Sequence, residues 1–385
     1  MFARKDGRLV IVAACLLLVG LAQAVAQPQG DIDWDRARAL RQRSLRGETL
    51  SEEEQSYLQR AIELRQGSRP QQRRPVEIKP PVGLKPLVDM TGDDRYKGQD
   101  GGLYGGGQNE PPKEHLEAAI RQAKLIQPLS AEGKPAEDGK VVFVSIGMSN
   151  TTQEFSAFVR LANDDPARSA KLVIVDGAQG GMDAKAWAVS GRPDRPGGRN
   201  PWEVLDERLE QAGASAAQVQ AAWVKQARIT PGMIGEFPEH AEEMKGHMVT
   251  ILNMLAERFP NLRIVYLSSR IYAGYASTSL NPEPYAYESA FVVRWLIEDQ
   301  IKGEASLNYD AEKGAVRAPL LLWGPYLWAD GASGRKSDDL VWKPEDLAGD
   351  GTHPSDSGRR KVAELLLSFV KTDPTAKTWF LRKAP

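Results

Sequence analysis

Two stretches hold residue types that could act on one another chemically. In VVFVSIGMSNTTQEF, residues 141–155, a run of β-branched and apolar residues stops at Gly147, and Ser149 follows two positions later. A serine there is either the N-cap of the helix that the polar segment predicts, or a nucleophile held at the tip of a strand. A nucleophilic serine needs a base, and the base needs an orienting acid. The stretch GDGTHPSDSGRRKVAELLLSFV, residues 349–370, has both types: Asp350 and His353 lie three apart in a glycine-containing loop directly before an amphipathic helix. A carboxylate so placed can hold one ring nitrogen and fix the tautomer, leaving the other nitrogen free to take a proton. The alternative is that Asp350 or Ser355 simply caps that helix.

The chain has four histidines, which narrows the choice of base. His115, His240 and His247 fall in polar helical segments (PKEHLEAA, PEHAEEMKGH), where solvated faces are expected. His240 and His247 are seven apart and could ligate a metal with nearby glutamates, as in a metal-dependent phosphoesterase. The spacing is not that of H-E-x-x-H, so the expectation is a solvated face and no metal site. His353 is the one histidine preceded by a carboxylate in a loop after the last expected strand.

The elements that must position these residues follow from periodicity. Continuous apolar runs at 140–146, 171–175, 221–224, 263–268 and 319–323 read as strands buried on both faces. Helical patterns separate them, at 113–126, 203–221, 239–258, 285–301 and 357–371. Alternating strands and helices predict an α/β fold with a five-stranded parallel sheet between helical layers, its site at the carboxyl ends of the strands. Upstream, residues 31–66 predict two short helices, the second opened by a Ser51/Glu54 capping box. Residues 68–86 form a Pro- and Arg-rich linker, and the Gly-rich loop at 98–112 lacks the spacing of a phosphate loop.

The N-terminus has a basic start (MFARKDGR), an apolar run (LVIVAACLLLVGLA) and an A-x-A pattern at Ala24–Ala26. This predicts a secretory signal peptide over residues 1–26, an exported chain in a bacterial periplasm or secretome, and no membrane span after cleavage. Val12–Cys15 loosely matches a lipoprotein box, but the apolar run continues past it. Cys15 is the only cysteine, so the processed chain has no disulfide, thiolate ligand or cysteine nucleophile. With 50 basic and 51 acidic residues, nothing global points to nucleic acid.

The strand ending in Gly147-Met-Ser-Asn150, together with Asp350-Gly-Thr-His-Pro354, resembles the SGNH hydrolases, or GDSL esterase/lipase superfamily. The serine loop is closest to the Gly-Gln-Ser-Asn form of sialate O-acetylesterase-like and acetylxylan esterase-like carbohydrate esterases. VIVDGAQGGMDAKAW (173–187) is similar to their second block, with Gly180, Gly181 and Trp187 matching. The third block departs: Trp223-Val-Lys-Gln226 stands where the superfamily has Gly-x-Asn-Asp.

The resemblance implies a flavodoxin-like α/β/α domain over residues 113–385, preceded by a helical extension (27–67) and a linker and loop (68–112). It implies a cofactor-free serine esterase acting on acyl, notably acetyl, esters of a small molecule or glycan. Ser149 would be the nucleophile, His353 the base and Asp350 its orienting acid. The oxyanion would be held by the N–H groups of Ser149 and of Gly181 or Gly180, with Gln226 as a side-chain donor and Lys225 an alternative. Arg270, after the fourth strand, is a further polar candidate with a structural salt bridge as its simpler role. Trp187, Trp323 and Tyr326, at strand ends and in loops, are expected to stack on a sugar. The competing class is a non-catalytic carbohydrate-binding or surface protein that keeps the fold.

Overall fold

The computed structural model describes residues 81–192 and 198–382, with parts of the stretch from 32 to 61. The contacts divide the chain into Met1–Gln72 and Arg73–Pro385. In the first unit, residues 53–58 are helical, and Ala37, Leu40, Leu50 and Ala61 are buried. The expected capping box is present: the Glu54 N–H donates to Ser51 Oγ at 3.2 Å and the Ser51 N–H to Glu54 Oε2 at 2.9 Å. The apolar segment read as a signal peptide and the linker over 68–80 lie outside the described residues. Among the described residues no helix is long and apolar enough to cross a membrane.

In the second unit, five strands, β1 (Val141–Gly147), β2 (Leu172–Val175), β3 (Val219–Lys225), β4 (Ile264–Leu267) and β5 (Leu320–Trp323), form one all-parallel sheet. Its order is β2-β1-β3-β4-β5, that of flavodoxin-like doubly wound folds. β1, β3, β4 and β5 are buried along their whole length, which is why their sequences are continuous apolar runs rather than alternating ones. Helices α1 (Lys113–Leu125), α2 (Ser149–Asp164), α3 (Ala184–Ala188), α4 (Pro201–Gln211), α5 (Glu239–Arg258), α6 (Tyr285–Lys302), α7 (Asp356–Thr372) and α8 (Lys377–Phe380) flank it. α2 packs on α7, and α5 packs on α3 and α6.

One expected boundary moves. The helix expected over 203–221 ends at Gln211, because Gly213 turns left-handed (φ 62°) and Ser215 and Gln218 cap a short 3-10 turn. The Ala-containing segment that follows is strand β3, where burial on both sides overrides helix propensity. Two histidines expected at the surface are also interior. His115 meets the Leu321 carbonyl at 2.8 Å, so its Nε2 carries the proton, and burial pushes its pKa down. His240 is buried against Glu288, at 2.7 Å. His247 turns instead to Glu243, at 3.0 Å. No three His, Cys, Asp or Glu side chains among the described residues converge to hold a metal ion.

A charged pair crosses the core at the carboxyl end of β3. Lys225 Nζ meets Glu154 Oε2 of α2 at 2.5 Å, both side chains essentially without exposure. Burial pulls the lysine down to about 8 and pushes the glutamate up. The pair fastens α2 to β3, since the Lys225 carbonyl also accepts from Thr151 Oγ1 at 2.7 Å. Lys225→Met alone strands a buried carboxyl and is expected to cost about 3–5 kcal/mol. Adding Glu154→Leu is expected to restore most of that, in a double-mutant cycle read by urea unfolding; equal losses in the single and double variants would contradict the pairing.

Candidate active site

The first turn of α2 places the serine. Met148, in extended conformation, is the N-cap and no side chain caps that turn, so Ser149 is the first helical residue and not the cap. Its hydroxyl lies 2.8 Å from His353 Nε2. On the other side of the ring, His353 Nδ1 lies 2.5 Å from Asp350 Oδ2. Burial alone would raise the Asp350 carboxyl, but the His353 ring and the backbone N–H groups of His353 and Thr352, each at 3.0 Å, outweigh it and hold it at about 2. An ionised Asp350 only accepts, so Nδ1 bears the hydrogen, and the neutral ring then presents the Nε2 lone pair to the Ser149 hydroxyl.

The loop that presents His353 is tied on two sides. Asn150 Nδ2 donates to the Thr352 carbonyl at 2.9 Å, joining it to the turn that presents Ser149. Ser277 N–H donates to the Asp350 carbonyl at 3.0 Å. Gly351 is left-handed (φ 64°), and a Cβ there would lie 1.9 Å from the Tyr275 carbonyl oxygen, so only glycine fits. The tie through Asn150 was not foreseen; a polar residue beside the serine on an otherwise buried helix face was its only signal.

The β2–α3 loop carries GAQGG. Below it, Asp176 accepts from the hydroxyls of Ser145, Thr152 and Ser156, at 2.7, 2.5 and 2.9 Å, and its burial pushes its pKa up. Gln179 N–H donates to the Gly147 carbonyl at 3.0 Å. A Cβ on Gly180 would stand 4.0 Å from Ser149 Cβ, whereas Gly181 adjoins Arg192, whose Nη1 donates to the Gly181 carbonyl at 3.1 Å. Of the two glycines, Gly180 is thus placed beside the serine. Among the described residues neither glycine's N–H meets an acceptor.

The third block separates its two candidates. Lys225 is committed to Glu154, so it is not a free donor. Gln226 is buried, and among the described residues neither Nε2 nor Oε1 has a partner. Register places Lys225 beside Gly147, so Gln226 follows the serine-bearing strand by one step. Among the described residues Arg270 makes no salt bridge; it is buried with Nε and Nη2 unpartnered.

The aromatic expectations are corrected. Trp187 is fully buried, edge-on to Trp202 at 4.7 Å, and its Nε1 reaches the Gly147 carbonyl at 3.3 Å. Trp323 and Tyr326 are covered by residues 81–109: Trp323 Nε1 donates to the Leu103 carbonyl at 2.7 Å, and Leu87 N–H donates to Tyr326 Oη at 3.1 Å. None of the three stands at a rim.

No protein-family model matches the chain, and no curated protein does. Among solved structures, a candidate acylhydrolase from Bacteroides fragilis NCTC 9343 aligns at 13% identity over 70% of this chain and 100% of its own, with a TM-score of 0.35. A gut microbial diltiazem-metabolizing enzyme aligns at 14% identity over 62% of this chain and 48% of its own, with a TM-score of 0.33. Scores this low carry no weight for the chemistry, which stands on the geometry of the chain itself.

The β1–α2 junction leaves no room at Gly147, where a Cβ would meet Thr151 Oγ1 at 2.3 Å and the Lys225 carbonyl at 2.4 Å. Gly147→Ala is therefore expected to destabilise the fold by about 1–3 kcal/mol, the usual cost of overpacking, in a chemical-unfolding measurement. An unchanged midpoint would contradict the tight junction.

Proposed function

We propose that this chain is a serine hydrolase of acyl esters, of the SGNH type. The observation that supports it is the unbroken chain Ser149 Oγ, His353 Nε2, His353 Nδ1, Asp350 Oδ2, with links of 2.8 and 2.5 Å. In this reading Ser149 Oγ attacks the ester carbonyl carbon while His353 Nε2 takes the hydroxyl proton, and Asp350 stabilises the imidazolium that forms. The N–H groups of Ser149 and Gly180, with the side-chain amide of Gln226, hold the oxyanion. The tetrahedral species collapses, the C–O bond breaks, and the departing alcohol takes the proton back from Nε2. Water then attacks the acyl-serine with the same proton path, releasing the carboxylic acid and restoring Ser149.

A carbohydrate acetyl ester as substrate rests on the resemblance of the Gly180–Trp187 segment to carbohydrate esterases, since the aromatic side chains that would have stacked on a sugar are interior. Export rests on the pattern of residues 1–26. The N-terminal sequence of the protein from expressing cells is expected to start at Gln27; a chain starting at Met1 would count against export.

Turnover of p-nitrophenyl acetate is expected to vanish in Ser149→Ala. Gln226→Leu is expected to lower kcat by about 10²–10³, the usual loss for one oxyanion donor, with KM little changed. Full activity in Ser149→Ala would overturn the assignment.

A further inference from the structure

The loops that carry Gly180 and Gln226 leave strands that are not neighbours. Gly180 follows β2 and Gln226 follows β3, with β1 between them. Each loop is anchored at its start to Gly147: Gln179 N–H donates to the Gly147 carbonyl at 3.0 Å, and Lys225 stands beside Gly147 in register. Past Gln179 the chain turns, with Met182 N–H donating to the Gln179 carbonyl at 3.3 Å and Gly181 left-handed (φ 78°) at the third position. The closing bond of such a turn uses neither the Gly180 nor the Gly181 N–H. These anchors fix one end of each loop and leave the gap between the loops to be set further along.

There the two loops meet. Asp183 and Arg228, both buried, are ion-paired through Oδ2 and Nη1. The same Oδ2 accepts from Ile229 N–H at 3.1 Å, and the Ala227 carbonyl accepts from Ala184 N–H at 3.0 Å. Asp183 Oδ1 accepts from Ala186 N–H at 3.0 Å and so starts α3. The other edge of the guanidinium, Nε and Nη2, grips the two oxygens of Glu243 on α5, at 2.7 and 3.2 Å. Asn281 Nδ2 donates to the Arg228 carbonyl at 3.1 Å. α3 has five residues, too few to hold its loop by helical bonds alone. A helix cap needs no cation, and burying an arginine with two carboxylates is costly. What the arrangement supplies is a planar, rigid link from α5 through Arg228 to the β2–α3 loop.

We propose that Asp183 and Arg228 are positioning residues that clamp the two loops of the oxyanion hole to each other. Gly180 lies three residues before Asp183, and Gln226 two before Arg228. The bonds close a ring from Gly147 to Gln179, from Asp183 to Arg228, and from Lys225 back to Gly147. Each donor sits on an arc of that ring between two fixed points. Donors stabilise the transition-state oxygen only at about 2.7–3.1 Å from where its charge forms, so a wider gap weakens both at once. The clamp acts through the donors and leaves the Ser149–His353 bond alone. The inference rests on the hydrolase reading above.

The test is kcat and KM for p-nitrophenyl acetate in Arg228→Gln and Asp183→Asn, alone and combined with Gln226→Leu, each checked for folding by thermal melt. Asp183→Asn keeps an acceptor for the α3 cap, so it carries the test if Arg228→Gln does not fold. Each is expected to lower kcat by about 10–10²-fold with KM within about twofold of wild type. Combined with Gln226→Leu, the loss is expected to fall short of the product of the two single losses by about threefold or more, because one positioned donor is already gone. A clamp with only a folding role would leave kcat of the folded enzyme unchanged, or give losses that multiply fully with that of Gln226→Leu. Either result overturns the inference, as does a loss carried by KM alone. Absence of Ser149-dependent turnover in the wild type would instead overturn the hydrolase reading, so the two failures are distinguishable.

Discussion

The site depends on the close approach of three chain segments at Gly147. Its Cα faces Thr151 Oγ1 and the Lys225 carbonyl with no space for a side chain. Its own carbonyl accepts from Gln179 N–H and from the Trp187 indole. One residue therefore joins the serine strand, the GAQGG loop and the end of β3. Because β1 lies between β2 and β3, the side chains that leave their carboxyl ends converge on one point without any long-range folding of loops. The hydroxyl of Ser149 is then aimed by the start of a helix rather than by a flexible turn.

Around that junction the interior is unusually polar. Asp176 gathers three hydroxyls, Lys225 pairs with Glu154, and Glu283 is pushed up to about 7 chiefly by burial despite three N–H donors. Among the described residues, Gln226, Arg270 and Ser269 keep buried polar atoms without partners. Uncompensated buried groups each cost about 1–3 kcal/mol, and these three residues follow directly on the carboxyl ends of β3 and β4. Such expense at one edge of a sheet is the usual mark of a place organised for chemistry rather than for stability.

The five strands and the helices that carry Ser149 and follow His353 were legible in the sequence because their patterns are long and continuous. The serine, histidine and aspartate were singled out by residue type and loop placement alone. What escaped was set by tertiary cover. Trp323 and Tyr326 resemble rim aromatics because nothing in their own segment shows that residues 81–109, Pro- and Gly-rich and without a periodic pattern, are laid across them. His240 lies in an acidic stretch, yet its partner Glu288 stands on another helix. The lysine that follows the apolar run 221–224 in β3 was a visible irregularity, but only the fold shows that Glu154 answers it.

The central claim is that Ser149 is activated by His353. The most direct measurement is peptide mapping by mass spectrometry after reaction with a fluorophosphonate, which phosphonylates an activated serine and spares ordinary ones. The account predicts a single adduct on the peptide containing Ser149, absent when His353 is replaced by alanine. An unmodified Ser149 in folded wild-type protein, or an adduct that survives loss of His353, would contradict it.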